Sequence, residues 1–201
     1  MYENVFRIFP LFLGKQLGRR NMKQDDSLHY KEKMNNWYDA YSTSIFKYIV
    51  HITNDYQQAE DLTQDTFIRV FNYMNSGKTI DYPKTFIYRT AHNVTVDFIR
   101  KNNPIKIMKD FVFQKKKSNE KSIEHQMIEN EEYRELHKGI ASLKKSYREV
   151  IHLRKMEEFS IKDTAHILNW SESKVKSTLF RAMKALEKEL IERGYTYETY
   201  F

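Results

Sequence analysis

The chain has 201 residues, of which 40% are hydrophobic and 30% charged, a balance typical of a soluble globular protein with one or two domains. It contains no cysteine, which excludes disulfides and thiolate metal sites and fits a reducing cytosol. Its seven histidines are scattered without metal-ligand spacing, so we expect neither a metal nor another cofactor. Only five glycines and three prolines interrupt long stretches of three-four periodicity, which predicts an all-α fold.

The net charge of +7 is concentrated in the middle of the chain and on one helix. Residues 101–119 carry six basic side chains and one acidic side chain, whereas residues 30–100 carry eight of each. A localised basic stretch indicates an anionic partner. A solvated charge run in a linker explains such a stretch at least as well, so charge alone does not choose between the two.

Residues 1–28 are expected to form a disordered, non-essential extension. Their apolar part, Val5 to Leu13, is too short to span a bilayer and is interrupted by Pro10. The positive charges follow this part, whereas a signal peptide carries them before it. A weak surface-binding arm and a true translation start at Met22 are the alternatives.

Three amphipathic helices are predicted in residues 29–102, running from about Tyr30 to Ile52, from Tyr56 to Tyr73 and from Pro83 to Lys101. The side chains expected to face their shared core are Met34, Trp37, Tyr38, Tyr41, Ile45, Ile49, Ile52, Ala59, Leu62, Thr66, Phe67, Val70, Phe71, Phe86, Ile87, Ala91, Val94, Phe98 and Ile99. The polar side chains expected outside are Asp61, Gln64, Asp65, Arg89, His92, Asn93 and Arg100.

Four aromatic side chains flank the loop predicted at residues 74–82, namely Tyr73, Tyr82, Phe86 and Tyr88. Aromatic rings beside a basic helix can stack on unpaired bases, which contributes about 1–3 kcal/mol per base. Packing in the core is nevertheless the favoured interpretation for such rings in a helical bundle.

Residues 103–128 break the helical periodicity and are predicted to form a flexible basic linker, which includes three consecutive lysines at 115–117. The helical pattern resumes in residues 129–193, and residues 194–201 are expected to form a C-terminal tail. The sequence therefore predicts two small helical domains joined by a flexible basic linker.

The stretch from Ser160 to Leu190 predicts two helices joined by a tight turn. Ser160 and Ser171 can cap the two helices, and Asn169 tolerates the left-handed conformation that often ends a helix. One side of the second helix is a predicted buried stripe of Val175, Leu179, Ala182, Leu186 and Leu190. The opposite side carries Ser173, Ser177, Phe180 and Lys184, flanked by Lys174, Lys176 and Arg181.

No acidic residue occurs between Ser173 and Ala185, and a helix-turn-helix places such a face in the major groove of DNA. Lys176 and Arg181 could reach phosphates or guanine edges, and Phe180 could touch a thymine methyl group. An ordinary basic surface helix explains the bare pattern about as well. An apolar Phe180 in the middle of a polar face slightly favours binding.

Three segments resemble one family, the bacterial RNA polymerase sigma factors of the extracytoplasmic-function (ECF) class. The resemblance to region 2.2 is carried by AEDLTQDTFIRVF at residues 59–71, and the resemblance to regions 2.3 and 2.4 by KTFIYRTAHNVTVDFIRK at 84–101. The resemblance to region 4 is carried by SYREVIHLRKMEEFSIKDTAHILNWSESKVKSTLFRAMKAL at 146–186. Within it, the stretches FSIKDTA and SESKVKST are similar to those of sigma-X-type members. The order and separation of the segments agree with the family over about residues 30–190.

The resemblance implies three sets of contact residues. Region 2.2 would dock on the clamp helices of core polymerase through Asp61, Leu62, Gln64, Asp65 and Phe67, with Asp65 in place of the usual glutamate. Capture of a flipped base and the −10 strand would involve Asn75, Lys78, Tyr82, Lys84, Arg89, His92 and Asn93. Contacts to the −35 element would come from Ser173, Lys174, Lys176, Ser177, Phe180 and Arg181.

Two departures from the family pattern lie in the helix-turn-helix. Thr164 stands where the family usually has an aliphatic residue, and we expect its methyl group to pack in the same place. Asn169 replaces a typical glycine, and we expect it to adopt the same left-handed conformation.

The resemblance implies a protein that is not an enzyme but joins core RNA polymerase, positions it on promoter DNA and stabilises the melted −10 strand. The expected partners are core RNA polymerase, promoter DNA and an anti-sigma factor, which in the family is commonly membrane-anchored. No small-molecule substrate is expected, and the expected location is the cytoplasm. The alternative is a helix-turn-helix regulator that acts without polymerase and binds a palindrome as a dimer.

Overall fold

The computed structural model describes residues 24–102 and 131–195, and no residue in these two ranges lies in a β-strand. The chain divides into two compact units, Met1–Asp97 and Phe98–Phe201. The predicted all-α fold with two helical domains is therefore confirmed. The expectations for residues 1–23, for the linker at 103–128 and for the tail at 196–201 lie outside the described residues. Across the described ranges, the structure contains no helix with the length and apolar character that crossing a membrane requires.

Three helices account for the described part of the first unit, α1 (Gln24–Thr53), α2 (Tyr56–Asn75) and α3 (Pro83–Asn102), and the division between the units falls within α3. Helix α1 begins at Gln24, earlier than the predicted start near Tyr30.

Asn54 and Asp55 form the break between α1 and α2. Asn54 adopts a left-handed conformation with φ of 56°, which ends α1. The Asp55 side chain then accepts a hydrogen bond from the Gln58 backbone N–H at 3.0 Å and so caps α2. This turn lets α1 and α2 pack against each other over their apolar faces.

The core of the first unit is rich in aromatic rings. The Tyr38 and Phe67 rings meet edge to face with centroids 4.8 Å apart, and Tyr48 and Tyr88 lie 5.4 Å apart. Most side chains predicted to face inward are buried. Those that are only half-buried are Trp37, Tyr41, Phe86, Phe98 and Ile99.

The described part of the second unit contains α4 (Glu131–Ser142), α5 (Lys145–Ile151), α6 (Ile161–Leu168) and α7 (Glu172–Glu192). Its core cluster consists of Ile140, Leu143, Val150, Ile151, Ala165, Val175, Ala182, Leu186 and Leu190. Helix α4 approaches α7 closely at Gly139, where an added Cβ would lie 3.3 Å from both Leu186 Cδ1 and Leu190 Cδ2. A larger side chain at this position would push the two helices apart.

Helix α5 runs directly into a π-helical turn, His152–Met156. The Glu157 N–H donates to the His152 carbonyl oxygen at 3.0 Å, and the Phe159 N–H donates to the Leu153 carbonyl oxygen at 3.0 Å. Glu158 lies between these two bonds in the left-handed region, with φ of 58°. The wide turn ends the helix and buries Phe159 immediately before α6 begins.

Helices α6 and α7 form the predicted helix-turn-helix with the predicted caps. The Ser160 Oγ accepts a hydrogen bond from the Asp163 N–H at 3.0 Å, and the Ser171 Oγ accepts one from the Lys174 N–H at 3.2 Å. Asn169 has φ of 56° and ψ of 46°, the left-handed conformation expected of it. Thr164 is fully buried, as expected if its methyl group replaces an aliphatic side chain.

Candidate nucleic-acid interface

The outer face of α7 is exposed, polar and basic. Its inner side is the predicted stripe, of which Leu179 is half-buried and the other four members are buried. All six residues expected to contact the −35 element are exposed, namely Ser173, Lys174, Lys176, Ser177, Phe180 and Arg181. Phe180 is 62% exposed, so the core of the second unit does not account for its apolar ring. We call these six residues the α7 outer face.

Side chains of the α7 outer face are tied to the backbone of their own helix. The Ser177 Oγ donates to the Lys174 carbonyl oxygen at 3.2 Å, and the Arg181 Nε donates to the Ser177 carbonyl oxygen at 3.1 Å. An arginine has five N–H donors in all, so Arg181 keeps its terminal nitrogens for a ligand. The face therefore presents charge in a partly fixed arrangement.

Two lysines of α7, one of them in the α7 outer face, lie over aromatic rings four residues earlier in the chain. Lys174 Nζ is 4.1 Å from the Trp170 ring centroid, and Lys184 Nζ is 4.7 Å from the Phe180 ring centroid. Sequence reasoning left Trp170 and Lys184 out of the contact set. The aromatic-to-lysine spacing of four, which occurs twice here, is the signal that could have found them.

A second polar surface lies on α2. Asp61 is exposed, while Gln64 and Asp65 are half-buried. The Asp65 carboxylate forms an ion pair with Arg69 one turn later, at 3.0 Å. This surface presents an acidic residue, an amide and an ion pair within a little over two turns of the helix.

Leu62 and Phe67 differ from the expectation that they contact polymerase. Leu62 is 5% exposed and Phe67 is fully buried, because both lie on the side of α2 that packs into the core. Both side chains are buried in this arrangement, and their contact with polymerase stays a prediction. The two residues instead fix the orientation of α2 and so aim Asp61 and Gln64 outward.

The loop between α2 and α3 combines an exposed aromatic ring with positive charge. Tyr82 is 78% exposed, the most exposed large apolar side chain in the described residues. Lys78 Nζ lies 5.0 Å from the Tyr73 ring centroid, and the Tyr73 and Phe86 rings are 4.6 Å apart. Gly77 has φ of 82°, a conformation that favours glycine and permits the turn.

Most of the predicted −10 contacts are accessible on α3 or on this loop. Lys78, Arg89 and Asn93 are exposed, and Asn75 and Lys84 are half-buried. Arg89 and Asn93 are four residues apart and so lie on the same side of α3.

His92 lies inside the first unit, contrary to its expected place outside, and Tyr88 is buried there, in agreement with the favoured interpretation of core packing. His92 was expected outside but is 9% exposed, and its Nδ1 lies 3.2 Å from the Tyr48 hydroxyl. Tyr88 is fully buried and cannot stack on a base. Both belong to a wide buried face of α3 that also contains Thr95. His92 and Thr95 follow Tyr88 by four and seven residues. His92 thus joins α3 to α1 through Tyr48, and its contact with DNA stays a prediction.

Within the described ranges, no group of three or more potential ligand side chains could hold a metal ion. The surfaces described above offer charge, hydrogen bonds and aromatic rings. Such groups suit the binding of a nucleic acid or a protein.

Comparison with known proteins gives matches over both units. The family described as Sigma-70 region 2 matches residues 37–105, and the family described as Sigma-70, region 4 matches residues 133–186. The ECF RNA polymerase sigma factor SigM of Bacillus subtilis is 32% identical over 161 residues, which span 78% of this chain and 94% of SigM. SigX of the same organism is 30% identical over 157 residues, which span 76% of this chain and 81% of SigX. A special likeness to sigma-X-type members is therefore not confirmed.

A solved structure has a similar fold. It is the sigma factor RpoE in complex with the anti-sigma factor NepR from Bartonella quintana. The match has a TM-score of 0.64 and covers 79% of this chain and 97% of that chain. The sequence identity is 20%, so this likeness concerns the fold alone.

Proposed function

Because the chain belongs to the ECF class of RNA polymerase sigma factors, which direct transcription initiation, we propose that its two units divide promoter recognition between them. The observation that carries this proposal is the presence in one chain of a match to Sigma-70 region 2 and a match to Sigma-70 region 4. A regulator that acts without polymerase has no need of the first. That alternative is therefore not favoured.

The α7 outer face reads the −35 element in duplex DNA. Lys174, Lys176 and Arg181 lie close enough in sequence to contact successive phosphates or guanine edges along one groove. Ser173 and Ser177 supply short hydrogen-bonding groups, and the exposed Phe180 ring supplies an apolar contact. The absence of acidic residues between Ser173 and Ala185 supports this role, because a carboxylate there would repel phosphates.

The loop between α2 and α3 holds the melted −10 strand. Flipping a base out of the stack costs a few kcal/mol, whereas stacking on one aromatic ring returns about 1–3 kcal/mol. Tyr82 can therefore offset only part of the cost. Contacts from Lys78, Lys84 and Arg89 to phosphates, with hydrogen bonds from Asn75 and Asn93, supply the remainder.

The polar surface of α2 docks on core RNA polymerase through Asp61, Gln64 and Asp65. Polar and charged groups suit a surface that is in contact with water before assembly and that must bind one partner specifically during assembly. The protein performs no chemical step of its own, and its effect on transcription comes from binding energy applied to polymerase and promoter.

An anti-sigma factor holds the protein inactive until a signal releases it. The structural relative RpoE of Bartonella quintana was solved with such a partner, NepR, which supports this proposal. The protein acts in the cytoplasm, where core polymerase and the chromosome are found. A membrane-anchored anti-sigma factor would retain it at the membrane in its inactive state.

In vitro transcription with core RNA polymerase on a library of promoters tests this function. The wild-type chain should direct initiation from a defined subset of templates. Combined replacement of Lys176 and Arg181 by alanine should lower initiation on those templates about tenfold or more, since two charged contacts are lost. The affinity of the variant for core polymerase should remain unchanged.

Lys188→Ala is the matched control, because Lys188 is an exposed lysine of α7 about two turns beyond Arg181. It should transcribe like the wild type. If the wild-type chain fails to direct initiation, or the double variant uses promoters normally, the proposal is wrong.

A further inference from the structure

Trp170 occupies the turn between α6 and α7, and its backbone is held by a hydrogen bond to α6 and by the cap of α7 that follows it. Its N–H donates to the Ala165 carbonyl oxygen at 2.9 Å, and Ser171 follows it as the cap of α7. Its half-buried ring packs against the core cluster of the second unit. The Lys174 ammonium group lies over the same ring, 4.1 Å from its centroid.

We infer that Trp170 is a positioning residue for DNA binding, whose ring holds the Lys174 ammonium group ready to contact a DNA phosphate. The inference rests on the proposed reading of the −35 element by the α7 outer face. Trp170 lies outside the α7 outer face, and the inference assigns it a role in DNA binding in addition to packing.

Lys174 is fixed at its backbone as well as at its ammonium group. Its N–H donates to the Ser171 Oγ at 3.2 Å, and its carbonyl oxygen accepts from the Ser177 Oγ at 3.2 Å. The side chain remains exposed to a ligand between these anchor points. A lysine normally loses much rotamer freedom when it binds, so holding it in place beforehand increases affinity.

The placement of Lys174 favours an anionic partner. It lies in the first turn of α7, where the helix dipole disfavours a positive charge. The negative face of the Trp170 ring compensates in the free protein, because a ring quadrupole attracts a cation. A phosphate approaching this turn would meet the lysine and the positive end of the helix, beside the Glu172 carboxylate in the same turn.

The second aromatic–lysine pair of α7 shows why the anchoring of Trp170 matters. The Phe180 ring under Lys184 is 62% exposed, so it can itself move and cannot fix the lysine. Trp170 differs because the core cluster holds its ring. Of these two pairs, the Trp170 pair is the one that can position a charge.

A double-mutant cycle on the assembled holoenzyme tests the inference. The probe is a fluorescent duplex with a −35 element that wild-type holoenzyme has selected from a randomised library. Trp170→Leu should weaken binding about twofold to tenfold, the range expected for ordering one long side chain. In a Lys174→Gln background, Trp170→Leu should have no further effect.

The dependence of affinity on salt separates positioning from loss of charge. Lys174→Gln should reduce the slope of log K against log salt concentration by about one, because one phosphate contact is lost. Trp170→Leu should leave the slope unchanged, since the lysine still reaches the phosphate after paying an ordering cost. Trp170→Phe should restore part of the affinity, because phenylalanine keeps an aromatic face.

Equal effects of Trp170→Leu with and without Lys174 would overturn the inference and leave Trp170 as a packing residue. If Trp170→Leu prevents folding, the same cycle with Trp170→Phe decides the question. The Lys176 and Arg181 double-alanine variant is run in parallel. If that variant binds normally, the proposed function fails; if it binds weakly while the Trp170 and Lys174 effects are additive, only the inference fails.

Discussion

Arg193, at the C-terminal cap of α7, reaches Glu135 on α4, with 3.5 Å between its Nη1 and the carboxylate Oε2. Lys138 binds the other oxygen of the same carboxylate at 2.5 Å. The hydrogen bond from Lys138 is the largest influence and lowers the pKa of Glu135, with the charges of Lys138 and Arg193 adding to it and burial opposing it. One carboxylate thus ties two helices of the second unit together.

The stability of the second unit should therefore depend on acid pH through Glu135. Because its pKa is lower in the folded state, its ionised form contributes stability above the ordinary value of 4.5, and this is lost as the pH falls through the folded pKa. Glu135→Gln should destabilise the unit by about 1 kcal/mol at pH 7, and the difference from wild type should vanish in strong acid.

Urea unfolding followed by Trp170 fluorescence measures this effect. The chain has two tryptophans, and replacing Trp37 by phenylalanine in every sample leaves Trp170 as the reporter of the second unit. Glu187→Gln, an exposed change on α7, is the control and should have little effect at any pH. A Glu135 contribution that does not change with pH would refute the linkage.

Asn169 should tolerate glycine but not a β-branched residue. Its left-handed φ of 56° suits glycine and asparagine, whereas other L-residues are strained there by roughly 1–2 kcal/mol. Asn169→Gly should retain wild-type stability and promoter binding, and Asn169→Val should lose about 1–2 kcal/mol. Thermal unfolding and duplex binding measure both. A stable Asn169→Val variant would mean that the turn adopts another conformation.

Asp61 and Gln64 should contribute to core polymerase binding without supporting the fold. Their combined replacement by alanine should weaken core binding at least several-fold, while circular dichroism and unfolding remain unchanged. Asn72→Ala, an exposed polar change on the same helix, should bind core normally. Core affinity that is unaltered in the double variant would remove this surface from the interface.

Leu62→Ala should behave in the opposite way to the Asp61 and Gln64 change. Its buried side chain would leave a cavity and cost about 2–5 kcal/mol of stability in the first unit. Any loss of binding to core polymerase should then be proportional to the decrease in the fraction of folded protein. The two variants together separate contact from support on one helix.

Tyr82→Ala should impair promoter melting but not stability, since the ring is 78% exposed. Loss of one stacking contact of about 1–3 kcal/mol predicts a decrease of roughly fivefold to a hundredfold in open complex. Permanganate reactivity of −10 thymines measures the open complex. Tyr82→Phe should retain most activity, and melting that is normal without any ring at position 82 would contradict the stacking role.

Local signals predicted the architecture well because caps and breaks act over a few residues. Ser160, Asn169 and Ser171 mark the helix-turn-helix in the sequence, and the structure uses each as expected. The apolar stripe of α7 follows from helical spacing alone. These features need no knowledge of distant parts of the chain.

Sequence reasoning failed where a contact joins distant residues or where one helix face is unusually wide. His92 was placed outside by its polarity, yet Tyr48, 44 positions earlier, receives it inside. Leu62 and Phe67 matched a functional motif while also belonging to the buried stripe of α2, where they pack into the core. The π-helical turn after α5 leaves no mark in the apolar periodicity.

That π-helical turn carries a consequence for insertions and deletions. A π turn holds one residue more than the α turn it replaces, so removing one residue between His152 and Met156 would restore regular α-helical bonding. The repaired helix would be locally sound, but everything after it would be rotated by about 100°. A one-codon deletion here would therefore put the segments that follow out of phase with the core they fit, without breaking any helix.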